Sequence, residues 1–168
     1  MRKNLILMTL LLATSTIVNA QEGWFKQLFN EKVTIGFPLE GKRASESTYI
    51  AKDSLGAVYG VVMAPLDQKS FTGQTATDSV MVRYKFIDII VNELKAKMPT
   101  YAIGDVKISK LNDLKVYHLE GINAENKSQV FVNIFLINDI SYSLTCFLPN
   151  GTNPKNKDLF LSNIMVEK

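Results

Sequence analysis

The chain has 168 residues, 46% of them hydrophobic, 21% charged and 10% aromatic, with 9 Gly, 5 Pro and one Cys. These proportions exclude a disordered, collagen-like or disulfide-scaffold protein, and the length suits one domain that buries its own core. The 19 basic and 16 acidic residues are scattered, with no basic run longer than Lys42-Arg43 in the body of the chain, so nucleic acid is not an expected partner.

Arg2 and Lys3 precede an apolar run from Leu5 to Ala13, and the polar stretch that follows ends in Val18-Asn19-Ala20. A basic start, a short apolar centre and small residues at the −3 and −1 positions mark residues 1–20 as a secretory signal peptide, cleaved before Gln21. The run falls well short of the roughly 20 residues that a spanning helix needs. No cysteine stands at the cleavage point, so lipidation there is not expected. Residues 21–168 are then expected as a single globular domain, soluble, without a membrane span, in a periplasm or outside the cell. Removing Arg2 and Lys3 leaves 17 basic against 16 acidic residues, a net of +1.

In residues 22–30, Trp24, Phe25, Leu28 and Phe29 recur at the spacing of one helix face, which predicts a short helix clamping the N-terminus. Val33 to Phe37 alternates and stops at Pro38, as a first or edge strand does. Leu39 to Glu46 reads as loop. Ser47 to Lys52 and Ala57 to Ala64 flank the turn residues Asp53-Ser54-Leu55-Gly56 and predict a hairpin, its second strand apolar on both sides and therefore central.

After an aperiodic linker from Pro65 to Gln74 the period changes. Val80, Tyr84, Ile87, Val91, Leu94 and Met98 trace one face of a long helix, with Thr75 and Asp78 as a capping box and Pro99 as the stop. Val82, Phe86 and Ile89 widen its apolar surface, so it should lie on a sheet. Four strands follow: Tyr101 to Ser109, Leu114 to Ile122, Gln129 to Ile137 and Ile140 to Leu148. The two-residue turn Asn138-Asp139 sets the last register: Ile137 opposite Ile140, Phe135 opposite Tyr142, Asn133 opposite Leu144 and Phe131 opposite Cys146.

Asn153-Pro154 opens a last helix with Leu159, Phe160 and Ile164 on its buried side. Val130, Val132 and Ile134 make the meander apolar on its other face as well. The fold class is therefore α+β, an α/β/α sandwich in which helices cover both faces of a mostly antiparallel sheet.

The Val33-to-Pro38 strand, the long mid-chain helix, the antiparallel meander and the closing helix with Phe160 and Ile164 after the Tyr142 strand resemble the PsbP-like superfamily. That group is named for an extrinsic subunit of photosystem II and includes small exported bacterial proteins such as the DcrB-like ones. The resemblance spans most of residues 25 to 168. It implies an accessory or binding protein and carries no functional residue onto this chain.

The lone histidine, His118, shares a strand face with Glu120, half of a metal site or an acid/base pair. No second His or Cys has ligand spacing, no serine lies in a nucleophile motif, and Gly56, Gly60 and Gly73 are too dispersed for a phosphate loop. No catalytic, cofactor-binding or metal residue is assigned, and no cofactor is expected. Cys146 alternates with apolar residues and reads as a buried thiol. Asn126-Lys127-Ser128 and Asn150-Gly151-Thr152 match the N-glycosylation pattern, and Asp53-Ser54-Leu55 and Asp78-Ser79-Val80 match O-glycosylation triplets of exported bacterial proteins. Trp24, Phe25 and Phe29 are a candidate contact stripe. The expected role is an exported, non-catalytic accessory or binding module whose partner is an envelope protein or a small ligand; the alternative is a small exported hydrolase-type enzyme built from scattered side chains.

Overall fold

The computed structural model describes residues 23–65, 79–152 and 155–167, with side chains of the first helix from residue 88 onward. The signal peptide, the linker after Pro65, the Thr75–Asp78 cap, the side chains of Val80, Val82, Tyr84, Phe86 and Ile87, and Asn153-Pro154 lie outside the described residues.

Among the described residues, eleven strands and two helices follow in the order β1 (Phe25–Asn30), β2 (Val33–Phe37), β3 (Lys42–Ser45), β4 (Thr48–Lys52), β5 (Val58–Pro65), α1 (Ser79–Lys97), β6 (Tyr101–Ile103), β7 (Lys107–Leu111), β8 (Leu114–Asn123), β9 (Gln129–Ile137), β10 (Ile140–Leu148), α2 (Lys155–Ser162) and β11 (Ile164–Val166). A large sheet runs β3-β4-β5-β10-β9-β8-β6, with β7 also on β8, and a small sheet runs β1-β2-β11. Every pair among the described residues is antiparallel, as short connections require.

The meander register is the expected one, with Phe135 opposite Tyr142 and Phe131 opposite Cys146. Asn138 at its turn and Asn112-Asp113 at the β7–β8 turn all have positive φ, a conformation that short polar side chains tolerate. The β4–β5 hairpin forms as predicted, and Asp53 Oδ1 accepts from the amides of Leu55 and Ala57, both at 2.9 Å. β5 sits between β4 and β10.

One face of the large sheet presents Tyr117, Leu119, Val130, Val132 and Ile134, all buried, against Ile90, Val91, Leu94 and Met98 on and just after α1. Ile89, expected on that apolar surface, is instead exposed. The other face presents Tyr59, Val61, Phe135, Tyr142, Leu144 and Cys146. It packs on Val33, Ile35 and Phe37 of β2, Phe160 and Leu161 of α2 and Ile164 of β11. Helical cover was expected there; much of it is strand. A small sheet with one apolar face fills that layer and leaves α2 only a corner.

Five other expectations are corrected. Residues 25–30 form a strand, because the core-facing layer above β5 and β10 is completed by pairing with β2. β2 is accordingly the middle strand of its sheet. The stretch read as loop contains β3, fully exposed, a charged edge without a hydrophobic pattern. The strand expected at Tyr101 to Ser109 breaks at Gly104 into β6 and β7, which pair with opposite ends of β8. Finally, Ile164 lies on β11 opposite Ile35, Leu161 takes the buried helical place, and Leu159 is exposed.

Candidate functional site

His118 and Glu120 do share a face of β8, as period-2 alternation dictates. Asn133, directly opposite His118 on β9, donates through Nδ2 to the Leu161 carbonyl at 2.9 Å, while the ring Nδ1 of His118 lies 2.6 Å from Asn133 Oδ1. Only the nitrogen end of the amide can serve a carbonyl, so its oxygen faces the ring and the neutral histidine carries its proton on Nδ1. The network thus ties β8 to β9 and β9 to the end of α2. Glu120 is paired with Lys107 Nζ on the neighbouring strand β7. The hydrogen bond from Lys107, with lesser help from the charges of Lys107, His118 and Lys157, holds its carboxyl below the usual range.

Lys157 stands beside this corner, its ammonium 4.1 Å from the centre of the Phe131 ring and 2.9 Å from Asp158 Oδ1. Both residues singled out in the sequence are therefore bound into the frame by cross-strand partners. Among the described residues, no three His, Cys, Asp or Glu side chains converge as metal ligands. Cys146 is fully buried, and that burial pushes its thiol up to about 12.

The aromatic stripe near the N-terminus is divided by strand geometry. Phe29 turns inward, in contact with the rings of Phe37 and Tyr49 at 6.4 and 4.9 Å. A bulge between Leu28 and Asn30 brings Asn30 inward as well, where Nδ2 donates to the Tyr142 hydroxyl and Oδ1 accepts from the amides of Lys32 and Val33. Phe25 is exposed. Trp24 has two roles: it packs on the core edge and it lines a cleft.

That cleft, of about 220 Å³, is bounded by Trp24 just before β1 and Lys26 on it, Asn112 from the β7–β8 turn, Leu159 and Ser162 from α2, Asn163 just before β11, and Ile164 and Met165 on it. Asn163 is seated against Gly36 of β2. The Gly36 amide donates to the Asn163 carbonyl at 3.0 Å, and the Asn163 carboxamide lies so close over Gly36 that a Cβ there would stand 2.2 Å from Nδ2. The absent side chain of Gly36 is thus the space the carboxamide fills. Ser162 spends its hydroxyl proton on the carbonyls of Asp158 and Leu159. The side chains of Trp24, Lys26, Asn112 and Asn163 have no hydrogen bond to another described residue. Sequence reasoning flagged Trp24 but not its neighbours, which lie far apart in the chain.

A second, wider depression of about 420 Å³ lies between Gly56, Tyr101, Ser128, Phe147 and Pro149, and both sequon asparagines, Asn126 and Asn150, line it. Tyr101 and Ser128 share a hydroxyl–hydroxyl bond of 2.8 Å there. Asn126 Oδ1 accepts from the Ser128 amide, as in an ordinary polar turn. No helix among the described residues is long and apolar enough to cross a membrane.

No protein-family model matches the chain, and no curated protein sequence does. Among solved structures it is similar to the solution structure of cyanobacterial PsbP (CyanoP) from a Synechocystis species, with 13% identity and a TM-score of 0.54 over 89% of this chain and 95% of that one. It is also similar to a crystal structure from Bacteroides thetaiotaomicron, with 12% identity and a TM-score of 0.53 over 88% of this chain, and it spans 49% of that protein's length. Likeness at such identity speaks to architecture, and it agrees with the strand order and layers above: the chain has the PsbP-like fold, shared along most of its length with the cyanobacterial protein.

Proposed function

We propose that the chain is an exported, non-catalytic accessory module of the bacterial envelope whose working surface is the Trp24 cleft. Residues 1–20 direct export, and residues 21–168 act as one soluble domain in the periplasm or outside the cell, holding a small ligand. The observation that carries this reading is a contrast between two polar clusters. His118 and Glu120 are held by Asn133 and Lys107, whereas the cleft gathers an indole, an ammonium and two carboxamides that are spent on nothing else in the described chain. Groups that frame a fold bond to each other; groups that receive a ligand keep donors unspent.

Trp24 is the only tryptophan, so emission excited selectively from the indole reports on this cleft. The low-mass fraction of an envelope extract is expected to shift Trp24 emission of the mature protein. The protein made with its own leader is expected in the exported fraction with a mass beginning at Gln21. Unchanged emission, or an uncleaved chain retained in the cytoplasm, overturns the corresponding half of the proposal.

A further inference from the structure

We infer that the Trp24 cleft is a site for a small apolar carboxylate, with Lys26 as its charge partner. The inference rests on the cleft being the working surface and adds the chemistry of what it holds. At about 220 Å³ the cleft is smaller than the roughly 300–1,000 Å³ of sites for drug-sized molecules, so its occupant is small. Leu159, Ile164, Met165 and the indole face of Trp24 supply apolar walls, which favour a hydrocarbon portion.

The polar groups around those walls are mostly donors: the Lys26 ammonium, the Trp24 indole N–H and the carboxamide N–H groups of Asn112 and Asn163. Among the described residues, Lys26 is the one ionisable residue lining the cleft, and no Asp or Glu lines it. A cation with no neighbouring acid attracts an anion, and one lysine with neutral donors matches a single negative charge. A phosphate carries up to two negative charges, more than one lysine balances, and among the described residues no second cation lines the cleft. Gly36 adds a positional argument: the Asn163 carboxamide, which lines the cleft, packs against Gly36 of β2. The carboxylate can belong to a free short-chain acid or to the last residue of a peptide, and the two are separable.

The test follows Trp24 emission and the indole ¹H–¹⁵N resonance of the full mature chain at low ionic strength. The probes are hexanoate, hexanamide, hexylamine, and N-acetyl-Ala-Leu with a free or an amidated C-terminus. Hexanoate or the free-acid peptide is expected to saturate at a concentration at least fivefold lower than its uncharged counterpart, and the tighter of the two names the source. Lys26→Gln and Lys26→Glu are expected to abolish that preference. Lys32→Glu, on the same hairpin but outside the cleft, is expected to keep it. Equal response to acid and amide, a preference that survives both Lys26 variants, or tighter binding of hexylamine overturns the carboxylate assignment. If the envelope fraction still moves Trp24 while no probe does, only the chemistry inferred here fails; if neither moves it, the proposed function fails as well.

Discussion

His118 on β8 faces Asn133 on β9. Its Nδ1 meets Asn133, and Asn133 is the member of the pair that reaches α2, through the Leu161 carbonyl. Replacing Asn133 with Leu removes both bonds at once and leaves a carbonyl and a ring nitrogen to find new partners in a half-buried place. An unsatisfied group of this kind costs about 1–3 kcal/mol. His118 keeps part of its surface in water, so its truncation to Ala should cost about 1 kcal/mol or less. Urea unfolding of the two variants is expected to rank Asn133→Leu well below His118→Ala. A ¹⁵N spectrum of the wild-type ring should show the Nδ1–H tautomer at neutral pH. The opposite ranking, or an Nε2–H ring, defeats this account of the network.

Elements were legible where a strand alternated without a break up to a turn that accepts positive φ, and misread where the strand was short, bulged or exposed throughout. The β4–β5 hairpin and the β9–β10 register follow directly from alternation and from turns that accept positive φ. β1 shows why the rest did not. Its inward side completes the core through Phe29 and Asn30, while Trp24 and Lys26 line the cleft. Apolar residues on both sides of a short strand imitate a helical spacing, so the site itself masked the element. β3 lacked any pattern because it is exposed throughout, and β11 is only three residues long. The site was equally hidden, since Lys26, Asn112 and Asn163 become neighbours only through tertiary packing.

Two strand glycines differ in the room around them. At Gly36 a methyl group meets the Asn163 amide at 2.2 Å, while at Gly60 the nearest atoms are 3.9 Å away. Gly36→Ala should therefore cost about 1–3 kcal/mol, or turn the Asn163 amide out of its place. Gly60→Ala, in ordinary strand backbone, should be neutral or stabilising by up to about 1 kcal/mol. Denaturant midpoints of the pair check the contrast, and equal costs at the two positions refute it.

Across the whole molecule, the core between the two sheets holds three groups that ionise only at alkaline pH, and all three are driven upward chiefly by burial. Cys146 lies directly opposite Tyr59 on β5, and its thiol is pushed up to about 12. The Tyr59 phenol is raised by burial and then by the charge of Asp53, to which it donates at 3.2 Å. The Tyr142 phenol is raised by burial, with Asn30 opposing. A group whose folded pKa lies above its unfolded one keeps its full contribution below the unfolded value and loses it as pH climbs toward the folded value, because the unfolded chain releases its proton first. An unfolded cysteine ionises at about 8.5 and tyrosine at about 10, so stability should be level to about pH 8.5, fall gently on account of Cys146, then fall more steeply once the phenols join. Each group adds a slope of about 1.4 kcal/mol per pH unit, so the thiol alone removes roughly 3 kcal/mol by pH 11. Against a typical total of about 5–15 kcal/mol, that is a large share. Urea midpoints between pH 7 and 11.5 should show the two-stage decline. Cys146→Ala should erase the first stage, whatever it costs at neutral pH, and Tyr59→Phe should flatten the second. Thiolate and tyrosinate absorbance from these three groups should rise only as the chain unfolds. If Cys146→Ala leaves the shape of the profile between pH 8.5 and 10 unchanged, the thiol is not buried in the sheet-to-sheet core and the layer arrangement that places it there is wrong.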